Sequence, residues 1–127
     1  MKDTKEDMSK TFVMHLSDDM FDAIAAGTKV VETRLFDEKR KLVGVDDYIE
    51  FVKESNKSQR VIRRVVERVI GKSFEEVFGI ILLRFSPKQL GSPDDSSLNS
   101  MVKAMYKYYD RDKELQHGVI SFIIDVV

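Results

Sequence analysis

Apolar residues fall into short runs parted by polar turns, and the spacing within each run predicts its element. Thr11-Phe12-Val13-Met14-His15-Leu16 is a compact apolar run and predicts a first strand. Ser17 is a suitable N-cap, Asp18 and Asp19 sit where a helix dipole favours anions, and Phe21, Ile24 and Ala25 recur at helical spacing. Gly27 is a natural C′ residue, so a short amphipathic helix is marked at both ends. Lys29 to Leu35, with β-branched Val30, Val31 and Thr33, predicts a second strand. A charged connection follows over Asp37 to Lys41, then a third strand over Tyr48 to Val52 and a turn over Glu54 to Ser58.

Residues 61–70 fit two periods. The doublets Val61-Ile62, Val65-Val66 and Val69-Ile70 would stripe a helix, but Val and Ile lose rotamer freedom there and pack well on sheets. A long, irregular or bulged strand is the expectation. Ser73 caps a helix running to about Leu83, Ser86-Pro87 starts a short helical turn, and residues 92–97 form a loop. Leu98, Met101, Val102, Met105 and Tyr109 share one face of a further helix, and Gly118 opens a last strand over Val119 to Val126. Five strands with three helices between them exclude simple βαβ alternation. They predict an α+β fold, a mostly antiparallel, barrel-like sheet with about three helices packed around it. No repeat or linker divides the chain, so one domain is expected over residues 10–127, after a frayed tail at 1–9.

Composition narrows the partners. The 127 residues are 43% hydrophobic, enough for one core, and 34% charged, yet net charge is only -1. A protein holding long nucleic acid by bulk charge would be strongly basic, so any such binding must come from a local patch. The absence of cysteine excludes disulfides, thiolate metal sites and a cysteine nucleophile. No apolar run has membrane-spanning length and the first residues lack a signal peptide's apolar segment, so no membrane partner and a cytoplasmic location are expected.

Gly27-Thr28-Lys29-Val30-Val31-Glu32-Thr33-Arg34 resembles the G-x-K-x-x-E-x-R motif of ASCH domains. The preceding helix agrees, and Asp47-Tyr48-Ile49-Glu50-Phe51 matches the family's "G-D-x-I-x-F" strand except that Asp46 replaces the glycine. Tyr108-Tyr109 and Gly118-Val119 are similar to the closing helix and strand, so the resemblance covers about residues 11–126. It implies a PUA-like β-barrel, a cleft between barrel and helices, a role in binding RNA or a nucleotide, and hydrolysis in some members.

On a strand Glu32 and Arg34 project to one side and Thr33 to the other, while Lys29 stands at the strand's entry. Arg offers a bidentate fork and Glu accepts from an exocyclic amine, a set suited to a base edge or phosphate. The plainer alternative is a structural ion pair with Asp47 as a further partner. Lys29, Glu32, Arg34 and Asp47 are therefore the candidate ligand-binding residues.

Arg60, Arg63, Arg64 and Arg68, with Lys57 and Lys72 flanking, form a second basic stretch that either tracks a phosphate backbone or protects a strand edge. Tyr106 or Tyr108 is a candidate stacking ring, whereas Tyr109 belongs to the apolar face. His15 and His117 lack further ligands at metal spacing, so neither a metal nor a cofactor is expected.

A small hydrolase is the second functional reading, with Lys29, Glu32 and Ser121 as its catalytic candidates and Ser121 expected at the barrel mouth. Some bacterial relatives deacylate acetylated cytidine with a lysine-activated threonine, but Glu32 stands at the threonine's position here. Acid–base cleavage of RNA by Lys29, Glu32 and Arg34 stays open at this level. A protein-interaction role through residues 92–97 is a third reading.

Overall fold

The computed structural model describes residues 9–126, so the tail expected at 1–9 lies outside the described residues except for Ser9. The chain runs β1 (Thr11–Leu16), α1 (Asp18–Ala25), β2 (Val31–Leu35), α2 (Glu38–Lys41), β3 (Tyr48–Lys53), β4 (Asn56–Gly71) and α3 (Phe74–Ile81). A 3-10 turn (Pro87–Leu90), α4 (Leu98–Met105), α5 (Arg111–His117) and β5 (Val119–Ile124) complete it. None of these helices is long and apolar enough to cross a membrane.

The five strands form one sheet in the order β1-β3-β4-β5-β2. β1 lies parallel to β3 and every other neighbouring pair is antiparallel. β4 holds it together. Its first half pairs with β3 and its second with β5, and the register shifts between Val65 and Glu67 where it passes from one neighbour to the other. The expected bulge is therefore the point at which the sheet curls. The curl is a half-barrel, since the edge strands β1 and β2 share no ladder.

Two apolar clusters fill the fold. Met14, Leu16, Phe21, Ile49, Phe51, Val65, Ile120 and Phe122 pack in one. Val31, Val119 and Ile123 pack in the other against Phe74, Val77, Phe78 and Ile81 of α3 and Met101 of α4. β5 contributes alternate residues to both, and all six are buried. That is why its sequence is a nearly unbroken apolar run, and each large side chain so enclosed contributes roughly 1.5–3 kcal/mol.

The helix count exceeds the three expected. α2 has only four residues, too few for a period, and is set by Asp37, whose carboxylate accepts from the Arg40 amide at 3.0 Å. α5 reverses the usual polarity. Its Leu115 is 87% exposed while Glu114 is buried, where its carboxylate accepts from the Phe74 amide at the start of α3 (2.8 Å) and from the Tyr106 hydroxyl (2.7 Å). Burial, and then the bond to Glu114, raise the Tyr106 hydroxyl above its ordinary pKa. Ser17 starts α1 without a side-chain capping bond, whereas the Ser73 hydroxyl accepts from the Glu76 amide as expected. β4 begins at Asn56, so the turn before it is shorter than the sequence suggests.

Asp46 stands where the resembled pattern has glycine, and its backbone keeps a glycine-like φ of 74°. Its carboxylate meets Arg64 at 2.7 Å on the surface. Substituting Gly or Ala removes that carboxylate equally, but only Ala retains a Cβ in the left-handed region. Asp46→Gly should therefore be more stable than Asp46→Ala by about 1 kcal/mol in denaturant unfolding.

Candidate functional site

The site begins with the way α1 ends. Gly27, at φ 82°, donates its amide to Ile24 O, and Thr28 donates to Ala23 O. This left-handed close satisfies the last carbonyls of α1 and turns the chain back toward the sheet. The Lys29 amide also reaches Ala23 O, and the Val30 amide takes Gln89 O of the 3-10 turn, so both residues precede the β2 ladder. Lys29 thus enters the protein from a fixed point.

Its ammonium is buried and fully engaged. Lys29 Nζ donates to Val31 O at 2.7 Å and Leu90 O at 2.8 Å, and lies 3.2 Å from Glu32 Oε1. Glu32 Oε2 accepts from Arg34 Nε at 2.6 Å. Arg34 Nη2 continues to His15 O at 2.8 Å, so one side chain spans from edge strand β2 to edge strand β1. Burial alone would raise the Glu32 carboxyl, but the charges and hydrogen bonds of Lys29 and Arg34 outweigh it and hold the group below the usual carboxylate range. Burial disfavours the Arg34 charge, but Glu32 more than compensates and raises its pKa.

A cleft of about 590 Å³ opens beside this chain of charges. Lys29, Glu32 and Arg34 contribute to its lining, with His15, Ser17 and Met20 on one side and Leu90, Met101, Met105 and Tyr108 on the others. Gly91 makes the close approach possible. At φ 90°, any Cβ there would lie 2.6 Å from Met20 Sδ and 3.1 Å from Lys29 Cδ.

The other sequence candidates go elsewhere. Asp47 is away from the cleft lining, its carboxylate accepting from the Lys10 and Gly44 amides at 3.0 and 2.8 Å, so it organises the turn before β3 instead of joining Glu32. Ser121 is 0% exposed, its hydroxyl 2.6 Å from that of Thr33, and it does not line the cleft or face a barrel mouth. Strand parity explains this, since Ser121 alternates with Ile120 and Phe122 of the inner cluster and so points to the α3 side.

The four arginines of β4 do not make one surface. Arg60 reaches Glu50 and Lys57 O, Arg63 reaches Ile24 O and Ile62 O, and Arg64 reaches Asp46 and Asp125. Arg68 stands over the Phe36 ring at 5.6 Å. β4 is an inner strand of the sheet, so these arginines do not guard either of its edge strands, β1 and β2. Tyr109 packs 5.5 Å from Phe74, and Tyr106 packs edge-on to the same ring at 6.0 Å, which leaves Tyr108, 80% exposed, as the open ring. His15 lines the cleft with its ring 3.7 Å from Glu54, and His117 closes α5. No trio of His, Asp or Glu among the described residues is arranged for a metal ion.

Met20 and Gly91 are the lining residues hardest to find by sequence. Gly91 had a local signal, a glycine just after a short helical turn, whereas Met20 carried none.

Glu32→Ala would leave two buried cations without their anion, and unfolding should show a loss of about 3–5 kcal/mol. The depressed carboxyl sets the sign of the pH effect. Glu32's contribution is full above the unfolded-state pKa of about 4.3 and is lost as pH falls through the lower folded value. Acid unfolding should accordingly be steeper below that pH in the native protein than in Glu32→Gln. Gly91→Ala should cost roughly 1–3 kcal/mol through its positive φ, and thermal unfolding would show it.

Comparison with known proteins agrees with the fold. A family model, the ASCH domain, matches residues 14–122. Among solved structures, hypothetical protein PH0355 is 27% identical with a TM-score of 0.73, covering 91% of this chain and 97% of that one. Protein PF0455 from Pyrococcus furiosus is 24% identical, TM-score 0.61, covering 91% and 96%. ASCH from Zymomonas mobilis is 12% identical, TM-score 0.58, covering 91% and 66%, a likeness of fold alone. No curated protein matches. A family match over most of the chain, on a curled α+β sheet that fits it, means that this protein belongs to the ASCH domain family.

Proposed function

We propose that the cleft is a nucleotide-binding site that takes one base, from single-stranded RNA or a free nucleotide. The observation that carries this is Arg34. Its Nε and one Nη2 donor are committed to Glu32 and His15 O, which pre-orients the guanidinium of a residue that lines a cleft of about 590 Å³. That volume suits a small ligand, and Tyr108 offers a ring on which any base can stack. Glu32 keeps lone pairs for an exocyclic amine. Lys29, Glu32 and Arg34 thereby act as architecture and recognition together, and we read residues 10–127 as one PUA-like, cytoplasmic unit.

The hydrolase alternative asks more of the same residues than their bonds allow. A base must offer a lone pair, whereas all three Lys29 donors are directed at Val31 O, Leu90 O and Glu32. The Thr33 hydroxyl is paired with Ser121. Binding without turnover is the reading we adopt.

Thermal unfolding of the whole chain in low salt, with nucleosides, nucleotides and short RNA oligomers, tests it, because a ligand of the folded state raises the midpoint. At least one should do so, and Tyr108→Ala should weaken that ligand by about 1–3 kcal/mol. The exposed ring means that the variant's own stability should stay within about 0.5 kcal/mol of the parent. If none of these ligands moves the midpoint, the reading is wrong.

A further inference from the structure

The mouth of the cleft is polarised along α4. At one end, α1 meets the residues that follow the 3-10 turn, where Met20 abuts Gly91. Asp19 lines the cleft there, and Asp94 and Asp95 follow Pro93, another lining residue. All three carboxylates are exposed and unpaired with any Lys or Arg among the described residues. At the other end α4 runs out past Ala104, Met105 and Tyr108, all of which line the cleft, toward Tyr109. Arg34 lines the same cleft.

Lys103 stands in the last turn of α4 and Lys107 in the turn that follows it, each next in sequence to a residue that lines the cleft, Ala104 or Tyr108. Both are exposed, and neither has a carboxylate partner among the described residues. Asp19, Asp94 and Asp95 repel phosphate, and Lys103 and Lys107, with Asp110 exposed three residues beyond, are the cations that attract it. A free nucleoside has no group to use this gradient, whereas a base embedded in a strand does.

Resting on the nucleotide-binding reading, we infer that the cleft receives a base within a single-stranded RNA, with the adjoining phosphates lying across the C-terminal end of α4 on Lys103 and Lys107. The net charge of -1 fits this arrangement, because only a few phosphates need be held. Each neutralised phosphate makes affinity salt-dependent, while a nucleoside bound by stacking and hydrogen bonds is nearly insensitive to salt.

The test compares the whole chain with its Lys103→Gln/Lys107→Gln double variant. The probes are adenosine, cytidine, guanosine and uridine, and fluorescein-labelled octamers of A, C and U, each across a salt series. The parent should bind an octamer more tightly than the matching nucleoside. The double variant should lose about tenfold in octamer affinity at low salt, with the log–log salt slope shallower by about 1.4, and its nucleoside affinity should be unchanged. An unchanged octamer slope, or equal losses for octamer and nucleoside, overturns the α4 track and leaves the cleft reading standing. Failure of the parent to bind any nucleoside or octamer overturns both.

Discussion

The carboxylate of Glu32 is the group on which the rest of this architecture depends. It is buried between the ammonium of Lys29 and the guanidinium of Arg34, which would otherwise be left without an anion in a low-dielectric setting. Through Lys29 the charge holds the Leu90 carbonyl and hence the 3-10 turn, and through Arg34 it holds the carbonyl of His15. Three segments distant in sequence are thereby referred to one carboxylate. Removing a member of such a set costs far more than an exposed pair would. The same bonds that steady the half-barrel also fix the wall of the cleft.

Much of the fold could be read from residue pattern because its elements obey simple periods. β1, β3 and β5 are short apolar runs, and α1, α3 and α4 carry ordinary amphipathic stripes with recognisable ends. The reading fails where polarity inverts. α5 sends Glu114 inward and Leu115 outward, which no hydrophobic period would suggest, because a hydrogen bond to the start of α3 replaces apolar burial as its anchor. How far the barrel-like sheet closes was not legible for a related reason. Strand count is visible in sequence, but whether edge strands meet depends on the curl of β4, and here a side chain spans the gap in place of a ladder.

For the site, strand parity placed Glu32 and Arg34 together and would also have turned Ser121 away, had its face been counted from Ile120 and Phe122. Asp47 was drawn toward the cleft by charge alone. Its carboxylate finds two backbone amides nearer to hand, and a short acidic side chain beside a turn commonly does so. Met20 and Gly91 stayed hidden because their importance lies in a contact between α1 and the end of the 3-10 turn, some 70 residues apart in sequence.

The position of β5 in the chain has a consequence for the order of assembly. β2 is synthesised early, yet its ladder partner comes about 90 residues later, and that partner also completes the pairing of β4. Until β5 arrives, the strand carrying Glu32 and Arg34 has no backbone neighbour, and the two apolar clusters share no common wall. Long-range pairing of this kind makes loop closure a costly step. The β3–β4 hairpin is local in sequence, but the charged seam has to wait for the last strand, so a chain truncated before residue 119 would leave β2 without its ladder partner.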